Sequence, residues 1–166
     1  MSESGILVLT TGGTIDKAYF DALSEYQIVD SSIGELLKEA RVALAFRIEE
    51  LMRKDSLELT DSDRAAIARA AGGASERRIV VTHGTDTMTE TAKELAARVP
   101  GKTIVLTGAL TPARFADTDA PFNLGMAFAT AQVAPPGVYI AMSGQVFDGL
   151  RVRKDRAAGR FFALEA

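Results

Sequence analysis

The 166-residue chain has no cysteine, no tryptophan and a single histidine, His83. Without cysteine there is no disulfide framework, no thiolate metal site and no cysteine nucleophile. One imidazole disfavours a metal hydrolase built on several histidines, so no metal and no cofactor is expected. A basic surplus is also missing. Nineteen Lys and Arg stand against 22 Asp and Glu, a formal net charge of −3. Phosphate binding needs clustered cations, so the balance argues against nucleic acid as the main partner. No apolar run reaches the roughly 20 residues of a bilayer span, which predicts no membrane. Met-Ser-Glu-Ser-Gly at the start lacks the basic segment of a secretory signal, so the expected address is cytoplasmic.

Hydrophobic residues make up 47% and charged residues 25%. That composition and a length near the roughly 150 residues of an average domain predict one compact domain over 1–166. Short apolar runs at Ile6–Leu9, Ile79–Val81, Thr103–Leu106 and Val138–Met142 each end in a Gly, Thr or Ser turn. Continuous runs of this kind read as strands buried on both faces. Val42–Ile48 is a less regular fifth candidate. Helical spacing covers 31–41, 60–71, 86–99 and 120–133, with Thr60 as an N-cap. The predicted fold is therefore α/β, a three-layer sandwich with a mostly parallel sheet between helices. The stretch 16–30 reads as a long loop or a hairpin. In such sheets ligands bind beyond the carboxyl ends of the strands, where the Gly/Thr turns lie.

Two of those turns carry chemistry. Thr10-Thr11-Gly12-Gly13-Thr14 puts the Thr14 hydroxyl on a tight glycine turn, a nucleophile if a proton acceptor is near. The turn lacks G-x-G-x-x-G spacing and any Gly-Lys-Ser/Thr, so neither a dinucleotide nor a P-loop site is indicated. Thr82-His83-Gly84-Thr85-Asp86 offers a second hydroxyl, Thr85. Asp86 falls in the first turn of the next helix or caps it. An isolated histidine at a strand end reads as structural.

The two strings TTGGTI and THGTDTM, taken together, resemble the bacterial-type L-asparaginase family. Asp55-Ser56, Thr107-Gly108-Ala109, Pro121-Phe122-Asn123-Leu124 and Val146-Phe147-Asp148-Gly149 through Lys154 agree with it. The resemblance implies the N-terminal domain fold of that family and hydrolysis of L-asparagine to L-aspartate and ammonia, with room for weak glutaminase activity. It implies Thr14 as nucleophile, activated by Tyr26 or the competing Tyr19 of the same segment. It implies a second catalytic group of Thr85, Asp86 and Lys154. Gly13, Asp55, Ser56, Gly84, Thr85 and Asp86 would line the substrate site, Ser56 for the α-carboxylate and Asp86 for the α-ammonium. Leu57 stands where many relatives have a polar contact. Read from residues alone, Lys154 belongs to a solvated basic segment with Arg151, Arg153 and Arg156.

The family carries a second, smaller C-terminal domain, and the expectation is that this chain is a short form lacking it. Soluble enzymes of this kind are most often symmetric, so a homodimer or homotetramer is expected. Two alternatives are a non-catalytic asparagine- or aspartate-binding module and the ammonia-supplying component of a tRNA-dependent amidotransferase.

Overall fold

The fold is described from a computed structural model, for residues 4–20, 22 and 24–165. Strand β1 (Ile6–Gly12) opens the chain and is buried throughout. A hairpin follows, β2 (Lys17–Phe20) and β3 (Glu25–Ile28), then helix α1 (Ile33–Glu39) and strand β4 (Phe46–Lys54). Helix α2 (Asp61–Gly73), β5 (Arg78–Thr82), α3 (Met88–Arg98), β6 (Thr103–Thr107), α4 (Ala120–Val133) and β7 (Gly137–Met142) alternate. The chain closes with β8 (Gln145–Asp148), β9 (Val152–Asp155) and β10 (Arg160–Ala163).

Six strands form one sheet in the order β4-β1-β5-β6-β7-β8, parallel except for the antiparallel β7–β8 pair. The fold is α/β, as the apolar runs predict. Alternation within each strand explains the three layers. Leu7, Leu9, Ile79, Val81, Ile104 and Leu106 meet Ile67 of α2 and Leu95 of α3 on one face. Ile6, Val8, Val80 and Val105 meet Ile33 of α1 and Leu124 of α4 on the other. Each such fully buried aliphatic side chain contributes about 1.5–3 kcal/mol relative to exposure.

Sequence explains the helix boundaries. Thr60 caps α2, accepting from the Asp63 N–H at 3.2 Å, while Asp63 accepts from the Thr60 N–H at 2.9 Å. Such a reciprocal cap contributes about 1 kcal/mol. The stretch 16–30 forms the β2–β3 hairpin; Asp21 and Leu23 lie outside the described residues. The fifth strand is longer and later than Val42–Ile48, running to Lys54, because β4 is an edge strand whose outward residues need not be apolar.

From β1 the chain crosses to β4 on one side, then returns through α2 to β5 on the other. β1 is thus the topological switch point, where crevices open in sheets of this type. Crossovers β4–α2–β5 and β5–α3–β6 advance along the sheet over one face. β6–α4–β7 advances in the same direction over the opposite face. Its hand is opposite to that of the other crossovers, which follow the general right-handed rule.

Candidate active site

The loops leaving β1, β4 and β5 meet at the switch point with their backbones in direct contact. Gly12 and Gly13 have φ of 104° and 84°, a region that favours glycine. The Gly13 N–H donates to Lys54 O at 3.0 Å, which ties the β1 turn to the end of β4. A Cβ on Gly13 would overlap the backbone nitrogen and Cα of Gly84. A Cβ on Gly84 would lie 2.7 Å from Ser56 Cβ. Three sequence-predicted residues, Gly13, Gly84 and Ser56, are thereby stacked, and Thr14 and Thr85 follow the two glycines directly.

Ser56 is buried. Its Oγ accepts from the Thr87 N–H at 3.3 Å, and its carbonyl accepts from the Thr87 hydroxyl at 2.7 Å. Asp55 precedes it at the start of a single 3-10 turn and accepts from the Leu57 N–H at 3.1 Å. Burial works against its charge, but the Lys17 ammonium at 3.0 Å and the Leu57 N–H outweigh it and hold the carboxyl below its ordinary range. Leu57 is exposed.

Lys154 arrives from the β9–β10 ribbon. Its Nζ donates to Thr85 Oγ1 at 2.6 Å and to Asp86 Oδ1 at 2.7 Å. Arg156 Nε lies 3.7 Å from the same Asp86 oxygen. The side chain of Lys154 is only 12% exposed, so this is no solvated basic segment. Strand alternation separates it from its neighbours, and the Arg153 guanidinium lies 5.8 Å from the Phe162 ring centroid. Opposite Lys154 on β10, Phe161 packs against Phe147.

Asp86 departs from the sequence expectation. Helix α3 starts at Met88 with Thr87 in the cap position, and no side chain caps it. Asp86 precedes the helix and spends its carboxylate on Lys154 instead, while Thr87 is engaged with Ser56.

Thr14 begins a short 3-10 turn and lines a cavity of about 300 Å³ with Tyr26, Leu110, Thr111, Pro112 and Phe115. Tyr19 and Tyr26 are cross-strand partners with ring centroids 5.1 Å apart. Tyr26 also meets the Phe115 ring at 6.0 Å. Of the two tyrosines, Tyr26 is the one on the cavity that Thr14 lines.

His83 is fully buried. Its Nδ1–H donates to Gly84 O at 2.6 Å, and Nε2 accepts from the Thr91 hydroxyl at 2.7 Å. Burial depresses its pKa to about 4, so it is a neutral structural strut. Among the described residues no group of three or more His, Asp or Glu side chains is placed to share a metal ion. No described helix is long and apolar enough to cross a membrane.

Sequence reasoning missed several residues here. Lys17 and Arg156 pair with the two site carboxylates, and nothing in their spacing signals it. Asn123, within the Pro121–Leu124 string, ties the ends of two strands together. Its amide donates to Gly108 O at 2.9 Å and its oxygen accepts from the Ser143 N–H at 3.0 Å. Its place one helical turn after Asp119, which accepts its second donor bond, was the available signal.

The family model described as Asparaginase, N-terminal, matches residues 5–163. The chain belongs to the asparaginase family. An L-asparaginase of Thermococcus kodakarensis is 34% identical over 163 residues, 93% of this chain and 48% of that protein. The solved structure of the thermostable L-asparaginase from that organism superposes with a TM-score of 0.79 at 32% identity, over 89% of this chain and 47% of that one. L-asparaginase I of Vibrio cholerae superposes with a TM-score of 0.83 at 27% identity, over 98% of this chain and 52% of that one. A glutamyl-tRNA(Gln) amidotransferase component of Methanococcus vannielii is 30% identical over 93% of this chain and 39% of its own length. The chain thus spans about half or less of the length of each of these relatives.

Proposed function

We propose that the chain is an amidohydrolase that converts L-asparagine to L-aspartate and ammonia through Thr14, as a single domain over 1–166 and without a cofactor. The observation that carries the reading is Lys154 Nζ held between Thr85 Oγ1 and Asp86 Oδ1, on the turn whose Gly84 touches Gly13 beside Thr14. A pure binder has less use for both turn threonines together with a half-buried ammonium bonded to one of them.

The Thr14 oxygen attacks the side-chain amide carbon and passes its proton towards Tyr26. The carbonyl electron pair moves to oxygen, and its return breaks the C–N bond. The nitrogen takes up the proton that Thr14 gave to the Tyr26 relay and leaves as ammonia. The remaining ester on Thr14 is cleaved by water oriented by the Thr85 hydroxyl, whose oxygen is polarised by Lys154. Ser56 and the backbone around it receive the α-carboxylate. Asp86 is the fixed anion for the α-ammonium, with Asp55, Gly13 and Gly84 shaping the same wall. A homodimer or homotetramer is the proposed assembly.

The deciding experiment is ammonia release by the purified chain with L-asparagine and L-glutamine side by side. Turnover of asparagine that vanishes in Thr14→Ala supports the reading. Saturable asparagine binding without turnover in a folded chain would replace it with the binding-module reading. The similarity to a protein named as part of a glutamyl-tRNA(Gln) amidotransferase favours a second form of the same chemistry, ammonia passed to a partner chain. Co-purification with a large partner and a preference for glutamine would support that form.

A further inference from the structure

We propose that Asp16 is a positioning residue: it clamps both roots of the β2–β3 hairpin and thereby sets Tyr26 against the Thr14 cavity. This rests on the amidohydrolase reading for its kinetic consequence but not for its geometry. Asp16 lies two residues after Thr14 and is 2% exposed, deep for a carboxyl without a direct cationic partner. Its N–H donates to Gly13 O at 3.2 Å, within the nucleophile turn. Its carbonyl accepts from the Val29 N–H at 3.0 Å, and Oδ1 accepts from the Ser31 hydroxyl at 2.8 Å. One residue therefore joins the start of the hairpin, its end and the glycine turn. Ser31 Oγ in turn accepts from the Ile33 N–H at 3.3 Å, which anchors the clamp to α1.

The surrounding contacts point the same way. Lys17, the first residue of β2, is held by Asp55. Arg114 donates to Asp30 O at 2.6 Å, and Arg53 pairs with the Asp30 carboxylate. Phe115, next to Arg114, is the ring against Tyr26. The hairpin's own rings do little to fix it, since Tyr19, Phe20 and Tyr26 are exposed. Its angle over Thr14 is therefore set at its roots.

Asp16 is charge-sensitive. Burial raises its pKa to about 6, Glu50 pushes the same way, and the Ser31 hydroxyl, Arg114 and the Ser32 backbone oppose them.

The test is amide hydrogen exchange over residues 17–28 in wild type, Asp16→Ala, Asp16→Asn and Ser31→Ala, with β1 and β5 as internal reference. Loss of a buried hydrogen bond accelerates local exchange by about tenfold. The expected result is acceleration in Asp16→Ala and Ser31→Ala, confined to the hairpin, and near-wild-type protection in Asp16→Asn, which keeps the acceptor. In ammonia release the same two variants lower kcat with KM little changed, and Asp16→Asn removes the wild type's pH dependence near pH 6. Unchanged hairpin exchange in both Asp16→Ala and Ser31→Ala overturns the clamp, as does equal acceleration in β1 and β5. Ser31→Ala decides the matter if Asp16→Ala does not fold. Absence of turnover in wild type would sink the amidohydrolase reading, while the exchange comparison still decides the clamp.

Discussion

Gly13 and Gly84 touch backbone to backbone, leaving no room for a single carbon between the β1 and β5 turns. Gly13→Ala combines left-handed strain with steric overlap and should cost about 3 kcal/mol or more. Gly101→Ala is the control, because its φ is 79° and nothing lies within 4 Å of the added carbon. It should cost about 1 kcal/mol from strain alone. Thermal midpoints of the two variants separate the contact from the strain.

Lys154→Met keeps the aliphatic stem and removes the donor to Thr85 and Asp86. Turnover of asparagine should fall by about 10²–10⁴-fold, with the thermal midpoint little changed. An equal loss of stability and activity would assign Lys154 a structural role instead.

Tyr26→Phe and Tyr19→Phe distinguish the two tyrosines that the motif left open. Tyr26 borders the Thr14 cavity, so its hydroxyl should matter by about a hundredfold in kcat, and that of Tyr19 hardly at all. Steady-state kinetics of the pair checks this, and the opposite ranking would move the relay to Tyr19.

Two buried groups give opposing pH dependences of stability. His83 titrates at about 4 in the fold against 6.5 in the unfolded chain. The unfolded chain therefore binds more protons between those values, and stability falls by up to about 3 kcal/mol as pH drops from 6.5 to 4. Asp16 titrates at about 6 against 3.8. Here the folded chain binds more protons, and stability rises by up to about 3 kcal/mol as pH drops from 6 to 3.8. Wild-type stability should be nearly flat from about pH 6 to about pH 4. His83→Gln should then gain stability on acidification and Asp16→Asn should lose it, as denaturant midpoints across that range will record. Asp55, Asp63 and Glu76 are held below their ordinary values, so the contribution of Glu76 begins to be lost as pH falls below 4.5 and those of Asp55 and Asp63 below 3.8.

The sheet was legible because burial on both faces writes itself as unbroken apolar runs, as in Ile6–Leu9 and Ile79–Val81. The edge strand β4 was blurred because only one side of it meets a neighbour. β8, β9 and β10 span four residues each, which is too short a signal for periodicity. Thr14 and Thr85 could be seen as turn hydroxyls, and resemblance joined them to Lys154. From residue types alone Lys154 looked like one cation among four. Its place is set by pairing with β10, where Phe161 lies opposite it and packs on Phe147, a long-range fact that no local pattern encodes. Asp86 looked like a helix cap because a capping residue and an ion-pair partner have the same local spelling.

The reversed hand of the β6–α4–β7 crossover has a consequence for how such a centre is built at all. Had α4 obeyed the usual chirality, it would lie beside α3, over the strands where Val152 and Phe161 now pack. The ribbon would then have no berth, and its lysine no path to Thr85. One exception to a folding rule thus opens the lodging that lets a remote, late segment of the chain deliver a cation to the glycine turn after β5. Restoring ordinary handedness in a redesigned version of this fold would keep the sheet and evict the chemistry.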